Sequence, residues 1–286
     1  MVQSVKLILI RHGETVDNVA QVYRDSALTN HGVQQAIRLG LHFQTLGLAF
    51  THLFSSQLQR AANTAAQIRQ AQLILETHDN AAETVPVVLQ LPVLMEQDFG
   101  SMEGKKFHDP SHKSEHPRNE KNRHGIEFVP MESKDTMARR ADSFIDEHLM
   151  PLLGDTSKDM SPVVAIVSHG IFLSMLWKRL LLRLPRKSVV LSPELRATAR
   201  PSLEHLGGWS NTGYLELHLQ RAEAEEPSPS PAGMSRITQG WTTTILTING
   251  KDHLRSLKRT GGGVGSARHD ASQKRIDTFF KRRRVG

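Results

Sequence analysis

Short runs of apolar residues alternate with segments of helical periodicity along most of this chain. The runs VKLILI at residues 5–10 and VVAIV at 163–167 are rich in Val, Ile and Leu and turn polar only at their ends. Such runs are typical of parallel strands that are buried on both faces of a sheet. Apolar positions recur at helical spacing over residues 28–47, which predicts a helix that begins after Thr29 and ends at Gly47. The alternation predicts an α/β fold.

The remaining periodic segments extend this prediction. THLFSS at 51–56 is a predicted strand, and the Ala-rich stretch 58–72 and residues 131–153 are predicted helices. NTGYLELHL at 211–219 alternates apolar and polar residues, as a half-buried strand does. We expect it to form an edge hairpin with TTTILTI at 242–248.

Three segments interrupt the pattern. Residues 105–130 are rich in Lys, His, Pro and Asn and predict a mobile insertion, and residues 187–208 form a second insertion. The acidic, Pro- and Ser-rich stretch 221–236 has too few apolar residues to pack, so we expect it to be disordered. No shift in composition marks a mid-chain boundary, which predicts a single folded domain over residues 1–258.

Two of the predicted strands end in a histidine followed by glycine. The first run continues into RHG at 11–13 and the second into SHG at 168–170. A lone histidine after a strand is more often structural than catalytic. However, the carboxyl ends of strands in an open α/β sheet face the crevice where ligands bind, so both imidazoles should reach the same site. Two imidazoles at one sheet edge indicate a catalytic site.

Six motifs occur in a fixed order around these histidines. They are RHGETVDN at 11–18, LTNHGVQQA at 28–36, SSQLQRAANTA at 55–65, LMEQDFGSMEG at 94–104, VSHGIFL at 167–173 and NTGYLEL at 211–217. Together they resemble the histidine phosphatase superfamily, also called the phosphoglycerate mutase-like family, over most of residues 5–254. The resemblance implies a three-layer α/β/α sandwich with a mostly parallel central sheet.

The resemblance also implies roles for five residues. His12 would be the nucleophile that becomes phosphohistidine, and a protonated His169 would bind the transferring phosphoryl group. Arg11 and Arg60 match the two phosphate-binding arginines, whose planar guanidinium groups suit bidentate recognition of phosphate. Glu96 matches the general acid, because a carboxyl group beside a phosphate dianion has a raised pKa and can hold the proton for the leaving oxygen.

Three further polar residues of these motifs can be interpreted as site residues or as structural residues. Asn18 matches a residue that touches the phosphate in relatives, although a helix-capping role is the competing interpretation. Glu103 is the nearest competitor of Glu96, but the matched glutamate mostly supports its loop in the family. Glu14 matches a position that is commonly structural.

The acceptor of the phosphoryl group is predicted from the segment around Glu96. Mutases of the family carry an RLNE-like sequence there, whereas this chain has VLMEQDFGSMEG, which is closer to the phosphatase branch. We therefore expect a phosphorylated small molecule as substrate and water as acceptor. A phosphoglycerate mutase or a sugar-bisphosphate phosphatase is the alternative. Residues 105–130 would line the substrate entrance, but we can assign them to no specificity loop, so the organic part of the substrate does not follow from the sequence.

Composition excludes several classes of chemistry. The chain has no cysteine, which rules out disulfides, thiolate metal sites and a cysteine nucleophile. The resemblance implies neither a cofactor nor a metal. No apolar stretch is long enough to span a bilayer, and the first strand begins so close to Met1 that we expect no signal peptide. The sequence therefore predicts a soluble intracellular protein with no membrane partner.

The positive charge is concentrated in residues 259–286, and we expect the Gly-rich start of this tail to form a flexible, hydrophilic leash. This tail carries eight Arg and Lys against two Asp, whereas the net charge of the whole chain is +7. The domain before it is close to neutral, so we expect no direct nucleic-acid binding by the folded part. KRRR at 281–284 is typical of a nuclear-import signal, which predicts a cytoplasmic or nuclear location or both.

A short motif at 273–280 resembles the peptide by which replication and repair proteins dock on the sliding clamp PCNA. Gln273, Ile276, Phe279 and Phe280 occupy its fixed positions, and the apolar three would gather on one face of a tight turn. The alternative is that the two Phe residues pack on the protein's own domain. A second class of function follows, a nuclear adaptor in which the tail binds PCNA and the domain is a scaffold.

Overall fold

The structure is a computed structural model. It describes residues 3–20, 25–75, 85–105, 128–154, 161–185, 187–198, 202–221, 240–259 and 264–269. Most of the predicted insertion 105–130, most of the predicted excursion 221–236, and the PCNA-like residues Gln273, Ile276, Phe279 and Phe280 lie outside these residues.

A seven-stranded sheet forms the centre of the part that the structure describes, in the order β3-β2-β4-β1-β6-β7-β5. Parallel pairing joins β1 to β4, β2 to both β3 and β4, and β5 to β7, while β6 runs antiparallel to β1 and β7. The predicted α/β fold with a mostly parallel sheet is confirmed. The strands are β1 Ser4–Arg11, β2 His52–Ser56, β3 Val88–Leu91, β4 Val163–Ser168, β5 Val189–Leu191, β6 Tyr214–Arg221 and β7 Trp241–Gly250.

The predicted edge hairpin is wrong in one respect. β6 and β7 pair antiparallel, as expected, but neither is an edge strand, because β5 pairs with β7 on its outer side. β5 spans only Val189–Leu191 inside the insertion 187–208, and three apolar residues are too few to predict a strand from sequence.

The helices cover both faces of the sheet. They are α1 Val16–Ala20, α2 Asn30–Thr45, α3 Gln59–Leu75, α4 Lys134–Phe144, α5 Met150–Gly154, α6 Gly170–Arg183 and α7 Pro193–Thr198. The side chain of Thr29 accepts a hydrogen bond from the backbone of Gly32 at 2.9 Å, so α2 begins where its pattern predicts. One turn of π-helix, Ile145–Leu149, divides the helix predicted over 131–153.

Alternate residues of β1 divide the core into two layers. Leu7 and Leu9 belong to the core under α4 and α6, and Ile8 and Ile10 belong to the core under α2 and α3. All four side chains are at most 2% exposed, which explains the continuous apolar run of this strand. The three layers are therefore helices, sheet and helices. None of the described helices is long and apolar enough to cross a membrane.

The segment after β7 lies closer to the domain than a free leash would. The backbone of Asn30 donates to Ala267 at 3.1 Å, and that of His269 donates to Leu28 at 3.0 Å. Thr29 and Arg268 form an antiparallel bridge between these contacts. Residues 264–269 are therefore held at the start of α2, which corrects the expectation that the whole Gly-rich stretch is flexible.

Candidate active site

The two predicted histidines meet where neighbouring strands end. Arg11 of β1 pairs in register with Ser168 of β4, and the backbone N–H of His12 donates to the Ser168 carbonyl at 3.0 Å. The ring centroids of His12 and His169 are consequently 5.1 Å apart. Both histidines are buried: His12 is 3% exposed and His169 is 0% exposed. The parallel register thus brings both imidazoles to one site.

A backbone carbonyl fixes the orientation of the His12 ring. His12 Nδ1 lies 2.7 Å from the carbonyl oxygen of Gly13, which assigns the ring proton to Nδ1 and leaves a lone pair on Nε2. A Cβ at Gly13 would lie 2.6 Å from the carbonyl oxygen of Gly32. Only glycine fits there. The close approach that requires glycine here is therefore to the protein's own backbone.

Arg60 stands between the two imidazoles. Its Nε is 3.3 Å from His12 Nε2 and 3.2 Å from His169 Nδ1, and both ring nitrogens accept. Its Nη1 donates to Asp25 Oδ1 at 2.8 Å. The hydroxyl of Thr64 donates to the Arg60 carbonyl and accepts from the Gly13 N–H, which ties α3 to the loop after β1.

Burial and nearby cations keep both imidazoles neutral. Burial, then Arg60 and Arg11, lowers the pKa of His12 well below its ordinary value. The pKa of His169 is lowered for the same reasons, and the His12 ring adds to the effect. These effects favour the neutral form of His169, and the expectation that a protonated His169 binds the phosphoryl group stays a prediction. The neutral ring still has a donor, because Nδ1 accepts from Arg60 and the proton stays on Nε2.

Two of the side chains that the resemblance assigns to phosphate binding have a buried nitrogen without a hydrogen bond to a described residue. His169 Nε2 and Arg11 Nε have no hydrogen-bond partner among the described residues. Arg11 Nη1 donates to the carbonyl of Trp209 at 2.5 Å, and the Trp209 indole donates to Ser174 at 3.1 Å. Buried donors without acceptors are costly, so these atoms are arranged for an anionic ligand.

Glu96 reaches the same region from the loop after β3. Its carboxylate accepts from the backbone N–H groups of Phe172 at 2.9 Å and Ile171 at 3.3 Å, in the first turn of α6. Burial raises the pKa of Glu96, and the hydrogen bonds from Gln97, Phe172 and Ile171 and the charge of Arg60 oppose that rise. The N-terminus of α6 therefore anchors the predicted acid, directly after His169.

Sequence reasoning missed Arg140, which holds the loop around Glu96. Its guanidinium donates to the carbonyls of Val93 at 2.9 Å and Met95 at 3.0 Å, and it binds both carboxylate oxygens of Glu132. It also lies 4.9 Å from the centre of the Phe172 ring. An arginine in a helix gives no sequence signal for such contacts, because its partners are far away along the chain.

One side chain, that of Asn211, links Asn18 to His12. The Asn211 side chain donates to the His12 carbonyl at 3.1 Å and to Asn18 Oδ1 at 3.2 Å. Thr15 accepts from the backbone of Asn18 at 3.0 Å, so Thr15 rather than Asn18 occupies the capping position of α1. Asn211 belongs to the motif NTGYLEL, but no role for it was predicted from the sequence.

Glu14 and Glu103 make contacts that support their loops. Glu14 accepts from the Thr29 hydroxyl at 2.8 Å and forms an ion pair with Arg259. Glu103 accepts from the backbone of Phe99 at 3.3 Å. No group of three or more His, Asp or Glu side chains among the described residues is arranged to hold a metal ion. The described site instead combines two imidazoles, two guanidinium groups and one carboxyl group.

Known proteins resemble most of this chain. Residues 7–190 match the histidine phosphatase superfamily (branch 1). A probable phosphatase of Schizosaccharomyces pombe is 27% identical over 277 residues, which cover 95% of this chain and 78% of the relative. A probable phosphoglycerate mutase of Erwinia tasmaniensis is 34% identical over 179 residues, which cover 60% of this chain and 73% of the relative.

A solved structure gives the same fold. The phosphoglycerate mutase from Bacillus anthracis superposes with a TM-score of 0.53 at 17% identity, covering 90% of this chain and 97% of that one. The relatives are named as phosphatases and as phosphoglycerate mutases, which supports an enzyme of one of these two kinds. Because the family match spans more than half of the chain, this protein belongs to the histidine phosphatase superfamily.

Proposed function

We propose that this protein is a phosphatase that hydrolyses phosphate monoesters through a phosphohistidine on His12. The observation that carries the proposal is the hydrogen bond between His12 Nδ1 and the Gly13 carbonyl, because it directs the Nε2 lone pair toward the site. Arg60 Nε donates to that lone pair at 3.3 Å. A bound phosphoryl group would take over this donor and release the nucleophile.

In the first step, His12 Nε2 forms a bond to phosphorus while the ester P–O bond breaks. The electron pair of the broken bond goes to the leaving oxygen, which takes the proton of the Glu96 carboxyl. The raised pKa of Glu96 favours the protonated carboxyl that this step requires. Arg11, Arg60 and the Nε2–H of His169 would hold the phosphoryl oxygens.

In the second step, water attacks the phosphorus of phosphohistidine and gives a proton to Glu96. The P–N bond breaks, its electron pair returns to His12 Nε2, and inorganic phosphate leaves. Glu96 is then protonated again for the next substrate. Two guanidinium groups supply the positive charge for both steps, so the proposed reaction is independent of a metal.

Release of inorganic phosphate from p-nitrophenyl phosphate by the purified chain tests the proposal. We expect turnover in the presence of a chelator and a loss of at least about 10³-fold in His12→Asn. His269→Asn, which changes an exposed histidine outside the site, is the matched control and should keep full activity. Activity that persists in His12→Asn, or that requires added divalent metal, would contradict the proposal. A phosphoglycerate mutase is the alternative outcome, recognised by isomerisation of phosphoglycerate without release of phosphate.

We propose in addition that residues 273–280 bind PCNA and that the protein occurs in the cytoplasm and the nucleus. The pattern of Gln273, Ile276, Phe279 and Phe280 and the KRRR that follows support this proposal. Because His269 is held at the start of α2, the motif would begin four residues from an attached point of the domain. The peptide would then add a docking function to an enzyme.

A further inference from the structure

A cavity of about 270 Å³ lies beside the proposed catalytic groups, and its wall is negatively charged. Among the described residues that line it, four carry carboxylates and one carries a cation. Those five residues are Asp25, Glu96, Asp98, Glu103 and Arg60. The wall also contains the apolar side chains of Leu58, Met95 and Phe99. Asp25 is paired with Arg60 and the Glu96 carboxyl is protonated in the proposed first step, so Asp98 and Glu103 leave the described wall negatively charged next to apolar surface.

The one cation of this wall is already engaged. Arg60 contacts Asp25 through Nη1 and both histidines through Nε, and substrate binding would direct it to the transferring phosphoryl group. A second phosphate or a carboxylate in this cavity would therefore compete with the phosphoryl group for Arg60.

Two of the carboxylates are fixed at the wall by backbone hydrogen bonds. Asp98 Oδ1 accepts from the Gly100 N–H at 2.7 Å, and Glu103 Oε1 accepts from the Phe99 N–H at 3.3 Å. Gly100 adopts a left-handed φ of +52°, and a Cβ there would lie 2.3 Å from the carbonyl oxygen of Val129. The turn that carries both carboxylates is therefore specified by glycine, and the charges cannot swing away without breaking it.

The phosphoryl group has its own place outside this wall. The buried Nε2 of His169 and the buried Nε of Arg11 lack partners among the described residues, and neither residue lines the cavity. A monoester would place its phosphoryl group on these donors and on His12. Glu96, which lines the cavity, would face the leaving oxygen. The organic part of the substrate then extends along the carboxylates and the apolar side chains.

We infer that the leaving group of the substrate is uncharged or cationic, partly apolar, and free of a second phosphate or carboxylate. The inference rests on the proposed phosphatase function and gives that function a substrate class. A second negative charge on the substrate would face Asp98 and Glu103 and be repelled, whereas an ammonium group or a neutral ring would not. The same repulsion disfavours bisphosphorylated glycerates and sugar bisphosphates.

The test uses three aryl phosphates that differ only in the para substituent: methyl, aminomethyl and carboxymethyl. We expect kcat/KM to be at least about tenfold lower for the anionic compound than for the other two. Glu103→Gln should reduce this ratio several-fold, and Asp98→Asn should do the same if Glu103→Gln does not fold. Asp252→Asn removes an exposed carboxylate outside the cavity and should leave the ratio unchanged.

Equal or faster turnover of the anionic compound would overturn the inference, and so would a ratio that neither wall variant changes. Failure of the proposed function gives a different result, since none of the three compounds would then release phosphate. Binding of the three compounds to His12→Asn, measured by calorimetry, reads the charge preference without turnover. Tighter binding of the anionic compound in that experiment would contradict the substrate class whatever the reaction is.

Discussion

The guanidinium of Arg140 binds the carboxylate of Glu132 through two hydrogen bonds, 2.8 Å from Nε to Oε1 and 2.6 Å from Nη2 to Oε2. The pair fixes the guanidinium group at the start of α4. The same guanidinium also donates to carbonyls of the loop that carries Glu96, so Arg140 connects α4 to that loop. Arg140 is therefore a positioning residue that acts through Glu96 and, in the proposed reaction, touches no reacting atom.

Arg140→Ala should resemble a partial loss of the general acid. A displaced Glu96 donates its proton poorly, so we expect kcat for alkyl phosphates to fall about 10²-fold and kcat for aryl phosphates with good leaving groups to fall far less. Steady-state kinetics on both substrate types checks this. Arg179→Ala is the control, because it removes an ion pair with Asp142 between α4 and α6 without touching the loop. Equal losses for both substrate types would leave Arg140 with a structural role alone.

Glu96→Gln should make the rate depend more strongly on the leaving group than Arg140→Ala does. Glutamine keeps the size of the side chain and can still accept from Phe172 through its amide oxygen, but its NH2 group cannot accept from Ile171 and is not an acid. Alkyl phosphates should therefore slow by about 10²- to 10⁴-fold. Phenolates with low pKa leave without a proton and should be hydrolysed almost normally in the first step. A plot of rate against leaving-group pKa measures the effect. Identical slopes in the parent and the variant would assign the acid elsewhere, with Glu103 the next candidate.

Stability should fall in mild acid because of a buried histidine behind the site. His253 Nε2 lies 2.9 Å from the Thr212 hydroxyl, and the backbone of Thr212 donates to the carbonyls of Arg11 and His12. Burial, with a smaller effect of His42, lowers the pKa of His253 to about 4 from its ordinary value of 6.5. Between these values the unfolded chain binds more protons than the folded one, so the free energy of unfolding decreases as pH falls through this window.

The loss attributable to His253 is at most about 3 kcal/mol at the acid end of this window. Urea unfolding at several pH values measures it. His253→Gln should have a flatter curve between pH 6.5 and 4, and its free energy of unfolding at pH 8 should be lower by about 1 kcal/mol, because the bond to Thr212 is weakened. Parallel curves for the two proteins would show that His253 does not titrate in this window.

The tail gives a prediction that is independent of the chemistry. A peptide of residues 272–284 should bind PCNA, with the two adjacent Phe side chains carrying most of the affinity. Phe279→Ala with Phe280→Ala should abolish binding in calorimetry, whereas neutralising KRRR should mainly slow association and weaken its dependence on salt. In the full chain the double variant should keep its phosphatase activity and its melting temperature. A destabilised domain would favour packing of these residues on the protein itself.

The sequence predicted the elements and residues whose signals are local. The apolar runs that end at His12 and His169 give the strands, and the rule that parallel strands end at one edge brings the two rings together. Arg140 could not be predicted in this way, because it acts on Val93 and Met95, more than forty residues earlier. The charge state of His169 also required the structure, since it depends on burial and on the position of Arg60.

Rapid quenching of the reaction with a ³²P-labelled monoester tests the central claim most directly. If His12 Nε2 is the nucleophile, the quenched protein carries label that is stable in base and lost in acid, and peptide mapping places it on His12. His12→Asn should carry none, and His169→Asn should bind substrate more weakly while any label it gains still lies on His12. Absence of base-stable label during rapid turnover, or label on another residue, would contradict the account.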